Sequence, residues 1–250
     1  EYGEGKMSSP RQILSYLKNY FEERDLVKNK NYKAVVTAGP TREYIDPVRY
    51  ISNESSGKQG YEVALALKKL GIKTKLIAGP SKFVSSKGLN IKKVVSAKEM
   101  MNEVKRSLPV DIAVCAAAVS DYKPVNKSKF KIKKETSNLD NLKLEKNPDI
   151  LEFLSKHNEF RPKVVVGFAA ETEDVIRNSI KKIKEKYCDL IVANDISKKG
   201  IGFNSDFNQV SIINRKGKIQ GIPKSKKSFI ANKLAKIILD KLLVNDKNIN

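Results

Sequence analysis

The sequence predicts an α/β protein with a doubly wound, mostly parallel, Rossmann-like sheet that carries helices on both faces. Apolar runs typical of buried strands alternate along the chain with segments of helical periodicity. The run Val110–Val119 is almost entirely apolar, as expected for a central parallel strand that is covered on both faces. In folds of this class, ligands bind at the carboxyl ends of the strands, so we expect the functional site there.

The first 31 residues differ from the rest and are predicted to form an N-terminal helix and a linker. Ser8 or Ser9 can cap the helix, with Pro10 near its first turn. The apolar residues that follow have helical spacing: Ile13, Leu14, Leu17, Tyr20 and Phe21. The charged run after them is interpreted as a linker, which leaves residues 32–250 as the main domain.

The first half of this domain alternates strands and helices. Strand Lys33–Thr37 leads through a long loop to helix Tyr61–Leu70, and strand Lys73–Ala78 follows. A further strand is predicted at Ile91–Val95. Next to it, Ser96–Glu99 has the pattern of a capping box, which predicts that another helix begins there.

The second half continues the alternation. Asn147 is predicted to cap a helix that has Pro148 at its first position. Helical spacing covers Val175–Ile183 and, near the end of the chain, Lys226–Leu243. The predicted strands are Lys163–Phe168, Asp189–Ala193 and Gln209–Asn214.

Composition narrows the classes of function. The 49 lysines and arginines outnumber the 28 acidic residues and give a net charge of +21, which raises the possibility of nucleic-acid binding. The lysines, however, are spread over nearly every predicted helix and turn, without the interleaved aromatic residues that stacking on bases requires. The charge is therefore expected to favour small polyanions such as nucleotides, with no nucleic acid as the principal partner.

Other classes of function are disfavoured because the chain lacks the sequence features that they require. No apolar run approaches the roughly 20 residues of a membrane span and no signal-peptide pattern opens the chain, so we expect no membrane partner and a cytoplasmic location. The single histidine, His157, makes a histidine-based metal site or triad improbable. Chemistry should then rest on Lys, Arg, Asp, Asn and backbone groups.

The most informative segment is Val35–Gly60, where the strand-to-helix connection is far longer than the usual two to six residues or so. Gly57 and Gly60 open the helix, so its N–H groups and the positive end of its dipole can face an anion. Arg42 and Arg49, together with Lys58 at the helix start, add side-chain donors. This pattern predicts a site for a phosphorylated or carboxylated small molecule.

The same segment resembles the signature of phosphopantothenoylcysteine synthetase, the ligase of coenzyme A biosynthesis. The similarity begins with TAGPTRE, IDPVRYISN and SSGKQG, and further motifs follow in the family's order over roughly Lys33 to the C-terminus. These motifs are AAAVSDYKP (Ala116–Pro124), KIKK (Lys131–Lys134), KNPDIL (Lys146–Leu151), VGFAAET (Val166–Thr172), DLIVAND (Asp189–Asp195) and GFNSD (Gly202–Asp206).

The resemblance implies a ligase that joins 4′-phosphopantothenate to L-cysteine through an acyl-nucleotide. It implies Mg²⁺ with the nucleotide triphosphate, CTP in preference to ATP, and a homodimer. In many bacteria and archaea, this ligase is the C-terminal half of a bifunctional flavoprotein, so a flavin-dependent decarboxylase domain is a possible fusion partner. No residue of this sequence is assigned to flavin.

The resemblance also implies roles for individual residues. The first lysine of KIKK, Lys131, is the expected catalytic residue of a mobile loop that closes over the triphosphate, and Asn53 is expected to orient the acyl-nucleotide for attack by cysteine. Binding of the acyl intermediate is expected from Arg49, Asn53, Ala117 and Ala118. Nucleotide binding is expected from Asp121, Lys131, Pro148, Asp149, Ile150, Leu151, Phe168, Lys182 and Lys186.

The residues alone leave structural interpretations open for several of these positions. Asn53 could shape an Asx-turn, Phe168 could be a core residue, and the lysines of 127–134 could form a solvated face. Two other functions also stay open, an NAD(P)-dependent reductase on a Rossmann-like fold and a basic nucleic-acid-binding module. The reductase is disfavoured because no GxGxxG follows Val36. A P-loop kinase or GTPase is disfavoured as well, because the sequence contains no GxxxxGK[ST] motif.

Overall fold

The computed structural model describes residues 7–81, 88–133, 141–157, 159–197, 202 and 205–247. Within those residues, the strands are Lys33–Ala38 (β1), Arg42–Tyr44 (β2), Tyr50–Ser52 (β3), Lys73–Ala78 (β4), Asn90–Lys93 (β5), Ile112–Cys115 (β6), Tyr122–Pro124 (β7), Leu144–Lys146 (β8), Val164–Glu171 (β9), Leu190–Asp195 (β10), Phe207–Asn214 (β11) and Ile219–Lys226 (β12). The helices are Pro10–Lys30 (α1), Lys58–Lys69 (α2), Ala97–Ser107 (α3), Ile150–Ser155 (α4), Val175–Lys186 (α5) and Lys227–Lys247 (α6).

Eight of the described strands form one sheet in the order β12-β11-β10-β9-β6-β1-β4-β5. The strands from β10 to β5 are mutually parallel, while β11 and β12 add an antiparallel edge. The chain moves from β1 to β4 on one side and later to β6 on the other, so a topological switch point lies between β1 and β6. The predicted fold class is confirmed.

The sheet is covered on both faces because its central strands are apolar on both sides. In β1, Val36 packs into a core with α2 and α6, whereas Val35 packs into a second core with α3, α4 and α5. Both valines are at most 1% exposed. The two cores fix the helices against the sheet and leave the carboxyl ends of the strands open.

Several element boundaries differ from the sequence predictions. The predicted strand Val110–Val119 is confined to Ile112–Cys115, because beyond it the backbone leaves the regular ladder. Ala116 still donates to Thr37 and Ala118 to Gly39, so the chain stays beside β1 without extending the sheet. The predicted linker after the N-terminal helix is also wrong, since α1 continues through the charged run to Lys30.

Other local predictions are confirmed. Strand Lys73–Ala78 has the predicted bounds. The capping box at α3 forms, because Ser96 Oγ accepts from the backbone N–H of Glu99 at 3.2 Å. Ser9 Oγ likewise accepts from the N–H of Gln12 at the start of α1. None of the described helices has the length and apolar character required to cross a membrane.

Two small antiparallel sheets were not predicted. One pairs β2 with β3 inside the long connection between β1 and α2, and the other pairs β7 with β8. Both are built from the chain that leaves the carboxyl ends of β1 and β6. They place the sequence motifs of these connections beside the switch point.

Candidate functional site

Two neighbouring cavities open at the carboxyl ends of the central strands. The α4 cavity, about 610 Å³, lies among β6, β9, α4 and α5, and the α2 cavity, about 540 Å³, lies at the start of α2 beside the ends of β6, β9 and β10. Their linings share five residues, which we call the common wall: Ala117, Val119, Asp121, Phe168 and Lys182. Ligands in the two cavities would therefore meet at this wall.

The start of α4 forms one side of the α4 cavity. Asp149, not the predicted Asn147, is its N-cap, and Asp149 Oδ1 accepts from the N–H of Glu152 at 2.8 Å. Asn147 instead ties the segment to the end of β6, because its side-chain amide donates to the carbonyl of Ser120 at 2.9 Å. A carboxylate is as good an N-cap as a side-chain amide. With Asp149 capping α4, the amide of Asn147 is available for this longer-range contact.

The residues expected to contact the nucleotide base are brought together in the α4 cavity. Pro148, Asp149, Ile150 and Leu151 all line it, and Phe168 lines it as part of the common wall. The side chains of Ile150 and Leu151 are buried in the core, so they offer the cavity mainly backbone. The cavity therefore offers a planar ligand both an aromatic ring and backbone donors and acceptors.

Gly167 explains how α4 can approach the sheet so closely. A Cβ at this position would lie 2.6 Å from Leu151 Cδ2 and 2.8 Å from Ile191 Cδ1. Neither distance is compatible with ordinary van der Waals contact. Any larger residue at this position of the VGFAAET motif would force the side chains of Leu151 and Ile191 to shift.

The two lysines expected to bind phosphate both reach the α4 cavity, but their surroundings differ. Lys186 Nζ lies 2.9 Å from Asp149 Oδ2 and 2.8 Å from Glu152 Oε2. Lys182 Nζ donates to the carbonyl of Phe168 at 3.3 Å, and no described carboxylate pairs with it. Lys182 therefore brings more uncompensated positive charge to the common wall than Lys186 does.

Electrostatics reinforce this difference. Hydrogen bonds from Lys156 and then from Lys186 lower the pKa of Glu152 to about 2. Hydrogen bonds to Glu152 and Asp149 outweigh partial burial and raise the pKa of Lys186. At neutral pH, Lys186 is thus a cation that the two carboxylates at the start of α4 already balance.

The α2 cavity is built on the close approach of α2 to the end of β1. Gly57, in the left-handed region with φ of 75°, precedes the helix without a side-chain cap. A Cβ on Gly60 would lie 2.7 Å from Ala38 Cβ and 3.0 Å from the carbonyl oxygen of Thr37. Glycine at these positions lets the N-terminus of α2 sit directly against the strand, where its dipole points into the cavity.

Asn53 lies in the lining of the α2 cavity, together with Ala117 and Ala118. Its amide nitrogen donates to the carbonyl of Val119 at 3.1 Å and is 3.4 Å from that of Ala118. These contacts join the long connection after β1 to the chain that leaves β6. Three of the four residues expected to hold the acyl intermediate are therefore adjacent.

The fourth of those residues, Arg49, and the expected catalytic Lys131 lie outside the linings of both cavities. Arg49 Nη1 is 2.7 Å from Asp46 Oδ2 and 3.2 Å from the carbonyl oxygen of Ile132. Lys131 is exposed. The structure therefore places Arg49 against the chain that carries Lys131.

Asp46 is the centre of this contact and was missed by sequence reasoning. Its buried carboxylate accepts from the backbone N–H groups of Val48 and Arg49 at 2.8 Å and of Ile132 at 3.2 Å. Burial opposes ionisation, but these hydrogen bonds and the Arg49 guanidinium together lower the pKa of Asp46. No local sequence pattern reveals it, because the contact to Ile132 spans 86 residues.

Two more residues of the α2 cavity were not found from the sequence. Lys227, at the start of α6, is 3% exposed, and its Nζ donates to the carbonyl of Gly202 at 2.8 Å. Asn194 is 9% exposed, and its Oδ1 has no hydrogen-bond partner in the structure. Lys227 carried no sequence signal, because the residue before it, Lys226, is also a lysine and is exposed.

Parts of two predicted motifs fall outside the described residues. Lys134 of KIKK and the central residues of GFNSD, Phe203 and Asn204, belong to this group. Over the ranges that are described, no group of three or more His, Cys, Asp or Glu side chains could hold a metal ion.

Comparisons with known proteins place the chain in a family. Residues 29–242 match the family described as DNA/pantothenate metabolism flavoprotein, C-terminal domain, and the chain belongs to that family. It is 38% identical over 236 residues to the coenzyme A biosynthesis bifunctional protein CoaBC of Borreliella burgdorferi, a match that covers 94% of this chain and 58% of that protein. It is 36% identical to the protein of the same name from Escherichia coli K12, over 99% of this chain and 60% of that protein.

The chain thus spans about three fifths of the length of the curated relatives it matches. Among solved structures, the C-terminal domain of a CoaBC protein superposes with a TM-score of 0.70 at 32% identity, covering 86% of this chain and 96% of that one. A Cab2 variant in complex with phosphopantothenate-cysteine has a TM-score of 0.67 at 17% identity and supports the fold alone.

Proposed function

We propose that this member of the family is a phosphopantothenate–cysteine ligase of coenzyme A biosynthesis. In the first half-reaction, the carboxylate of 4′-phosphopantothenate attacks the α-phosphorus of CTP, which gives an acyl-CMP and releases pyrophosphate. In the second, the amine of cysteine attacks the acyl carbon, an amide bond forms, and CMP leaves. The names of the similar proteins, which refer to coenzyme A biosynthesis, support this reaction class.

The observation that carries the proposal is the pair of cavities with a common wall. A ligase of this kind must hold a nucleotide and an acid so that a carboxylate reaches an α-phosphorus. The α4 cavity offers an aromatic ring, exposed backbone and two lysines, which suit a nucleotide. The α2 cavity offers a helix N-terminus and Lys58, which suit an anionic acid. The reacting groups would meet at Ala117 and Asp121.

In the first half-reaction, charge accumulates on the phosphate oxygens. Lys182 and Lys186 are proposed to hold the triphosphate, and Lys131 to supply a further cation as the pyrophosphate departs. Because Lys131 is exposed, it can join the site only when the segment carrying it closes over the nucleotide. Mg²⁺ would travel with the triphosphate, and Asp121, in the common wall, is the carboxylate that could contact it or the ribose.

In the second half-reaction, the acyl carbonyl becomes an oxyanion as cysteine attacks. Asn53 is proposed to orient the acyl-nucleotide and to stabilise this charge with its amide N–H. Its place in the lining of the α2 cavity, together with Ala117 and Ala118, supports that role. Arg49 is proposed to assist binding of the acyl intermediate.

Several finer points belong to the same proposal. CTP is the favoured nucleotide, the enzyme acts as a homodimer in the cytoplasm, and a flavin-dependent decarboxylase domain is its fusion partner. The last point is supported by the longer, bifunctional relatives. No described feature favours the NAD(P)-dependent reductase or the nucleic-acid-binding module.

A thermal-shift panel followed by product analysis tests the proposal. We expect CTP with Mg²⁺ to raise Tm more than ATP, NADPH or an oligonucleotide does, and phosphopantothenoylcysteine to form only with all three substrates. Stabilisation by NADPH alone would favour the reductase, and steeply salt-dependent stabilisation by the oligonucleotide would favour the nucleic-acid module. Absence of the amide product under saturating substrates would overturn the ligase.

A further inference from the structure

We propose that Thr41 is a positioning residue for the first half-reaction, and that its hydroxyl holds the common wall in place between the two cavities. This inference rests on the proposed function and adds to it a residue that touches neither ligand. Thr41 lies three residues after the end of β1, outside the linings of both the α2 and the α4 cavity. It acts through residues 117–121, which follow β6 and which we call the wall segment.

Thr41 is joined to the wall segment at two points. Its backbone N–H donates to the carbonyl of Ala118 at 3.3 Å, and its Oγ1 accepts from the N–H of Ser120 at 3.0 Å. The residue is fully buried. Burying a hydroxyl is costly unless it is hydrogen-bonded, and valine would fill the same space without that cost. The hydroxyl therefore contributes through its contact with the wall segment rather than through packing.

Ser120 shows how the wall segment depends on that hydroxyl. Ser120 is 4% exposed, and its carbonyl accepts from the side-chain amide of Asn147 at 2.9 Å, while its own hydroxyl donates to the carbonyl of Tyr122 at 2.9 Å. Thr41 supplies the acceptor for the remaining group, the N–H. Without it, a buried N–H would lose its partner, which is costly. The backbone would shift to satisfy this N–H, and the residues on either side of Ser120 belong to the common wall.

The wall segment is held from both cavities at once. On the α2 side, the connection after β1 carries Thr41 and Asn53, and it is braced internally because Ser52 Oγ donates to the carbonyl of Thr41 at 2.7 Å. On the α4 side, the backbone N–H of Asn147 donates to the carbonyl of Asp121 at 2.8 Å. The wall segment thus takes its position from the walls of both cavities, and Thr41 fixes its centre.

This placement predicts an effect on rate rather than on affinity. The groups proposed to bind the nucleotide lie mainly on α4 and α5, and those proposed to bind the acid lie mainly at the start of α2. Thr41 belongs to none of these elements. The wall, in contrast, is where the carboxylate must reach the α-phosphorus, and a small displacement of reacting groups lowers the rate strongly.

The test compares wild type, Thr41→Val, Thr41→Ser and the control Thr74→Val. Valine removes the hydroxyl and keeps the branched shape, whereas serine keeps the hydroxyl. Thr74, on β4, is another buried threonine outside both linings, and its Oγ1 donates to the carbonyl of Ile72 at 3.0 Å. Single-turnover pyrophosphate formation without cysteine should slow about tenfold in Thr41→Val. The Kd values for CTP and for 4′-phosphopantothenate, from calorimetry, should stay close to those of wild type.

The other two variants separate positioning from stability. Thr41→Ser should restore a rate close to that of wild type, because the acceptor for Ser120 is present again. Thr74→Val should lower Tm as much as Thr41→Val does, yet keep the rate of wild type. An equal rate loss in Thr74→Val, a loss of CTP affinity that matches the rate loss, or a Thr41→Ser variant as slow as Thr41→Val would each overturn the proposal.

A second measurement separates this proposal from the ligase itself. Amide hydrogen exchange, followed by mass spectrometry of peptides that cover the wall segment, should be faster in Thr41→Val than in wild type, Thr41→Ser or Thr74→Val. Exchange in β9 should be the same in Thr41→Val as in wild type. This pattern in a protein that forms no pyrophosphate would reject the proposed function and keep the role of Thr41 in holding the wall. Pyrophosphate formation with equal exchange in all four proteins would reject that role and keep the ligase.

Discussion

The α4 cavity and the lysine segment, residues 127–133, place their positive charges in different ways. In the α4 cavity, Lys182 and Lys186 project from α5 and are held by partners on strands or helix starts. In the lysine segment, Lys131 and its neighbours are exposed, and Ile132 is attached to the main body through Asp46 and Arg49. The α4 cavity is thus preorganised for binding, whereas the lysine segment keeps its positive charge in water.

This difference matches the two demands of the proposed chemistry. Binding gains when donors are fixed before the ligand arrives, because less freedom is lost on association. A cation required only while pyrophosphate departs need not be buried beforehand, and burying it in the empty site would be costly. The comparison predicts that variants of the two regions will separate binding from turnover.

Among these variants, Lys131→Gln should slow the reaction the most. The variant keeps a polar side chain but removes the cation, so pyrophosphate release should slow about 100-fold or more, as for lost transition-state donors. Affinity for CTP, measured by titration calorimetry, should stay close to that of wild type. Lys129→Gln, an exposed neighbour in the same segment, is the control. Near-normal pyrophosphate release from Lys131→Gln would remove this lysine from the mechanism.

Asn53→Asp should separate the two half-reactions. A carboxylate loses the amide donor and repels the developing oxyanion, so the cysteine step should slow about 100-fold. Pyrophosphate should still form, and the acyl-nucleotide should accumulate in quenched samples analysed by mass spectrometry. If both half-reactions decline together and Tm also falls, Asn53 instead shapes the loop.

Asp46→Asn tests how the lysine segment is attached. The amide cannot balance Arg49 and accepts the N–H of Ile132 more weakly, so we expect kcat for pyrophosphate release to fall about tenfold, consistent with a positioning effect. KM for CTP should change little, and Asp240→Asn, an exposed site on α6, is the control. A matching loss of CTP affinity or a large drop in Tm would show that Asp46 supports the general fold.

Lys182→Met and Lys186→Met should give smaller and unequal effects. Lys186 is already paired with Asp149 and Glu152, whereas no described carboxylate pairs with Lys182. We expect KM for CTP to rise about tenfold in Lys182→Met and about threefold in Lys186→Met, because charge-assisted hydrogen bonds to phosphate are the stronger ones. Lys181→Met, exposed on α5, serves as control. Equal effects would mean that the acidic partners of Lys186 move away when the nucleotide binds.

The fold, and the place of the residues around Pro148 and Phe168 at the carboxyl end of the sheet, could be predicted because their signals are local. Apolar runs fix the strands, and the motifs around Pro148 and Phe168 lie at strand or helix ends that the alternation already locates. The end of β6 was misplaced because Ala116–Val119 is as apolar as the strand before it. Beyond Cys115 the backbone leaves the ladder, and Ala116–Val119 line the α2 cavity instead.

The remaining site residues depend on contacts between distant parts of the chain. Asp46 gains its importance from Ile132, and Asn147 from Ser120, and neither pairing has a periodicity that reveals it. Lys226 and Lys227 are identical in type, yet only Lys227, the first residue of α6, is buried. Sequence patterns identify which side chains can do chemistry, but burial decides which of them face the cavity.

The most direct test of the central claim is a rapid-quench measurement of pyrophosphate with CTP, Mg²⁺ and 4′-phosphopantothenate, but without cysteine. If the two cavities bring a carboxylate to the α-phosphorus at their common wall, wild type should release about one pyrophosphate per site in a burst, with acyl-CMP retained on the protein. Lys131→Gln should bind CTP yet show no burst. Pyrophosphate release that requires cysteine, or a full burst from Lys131→Gln, would contradict the account.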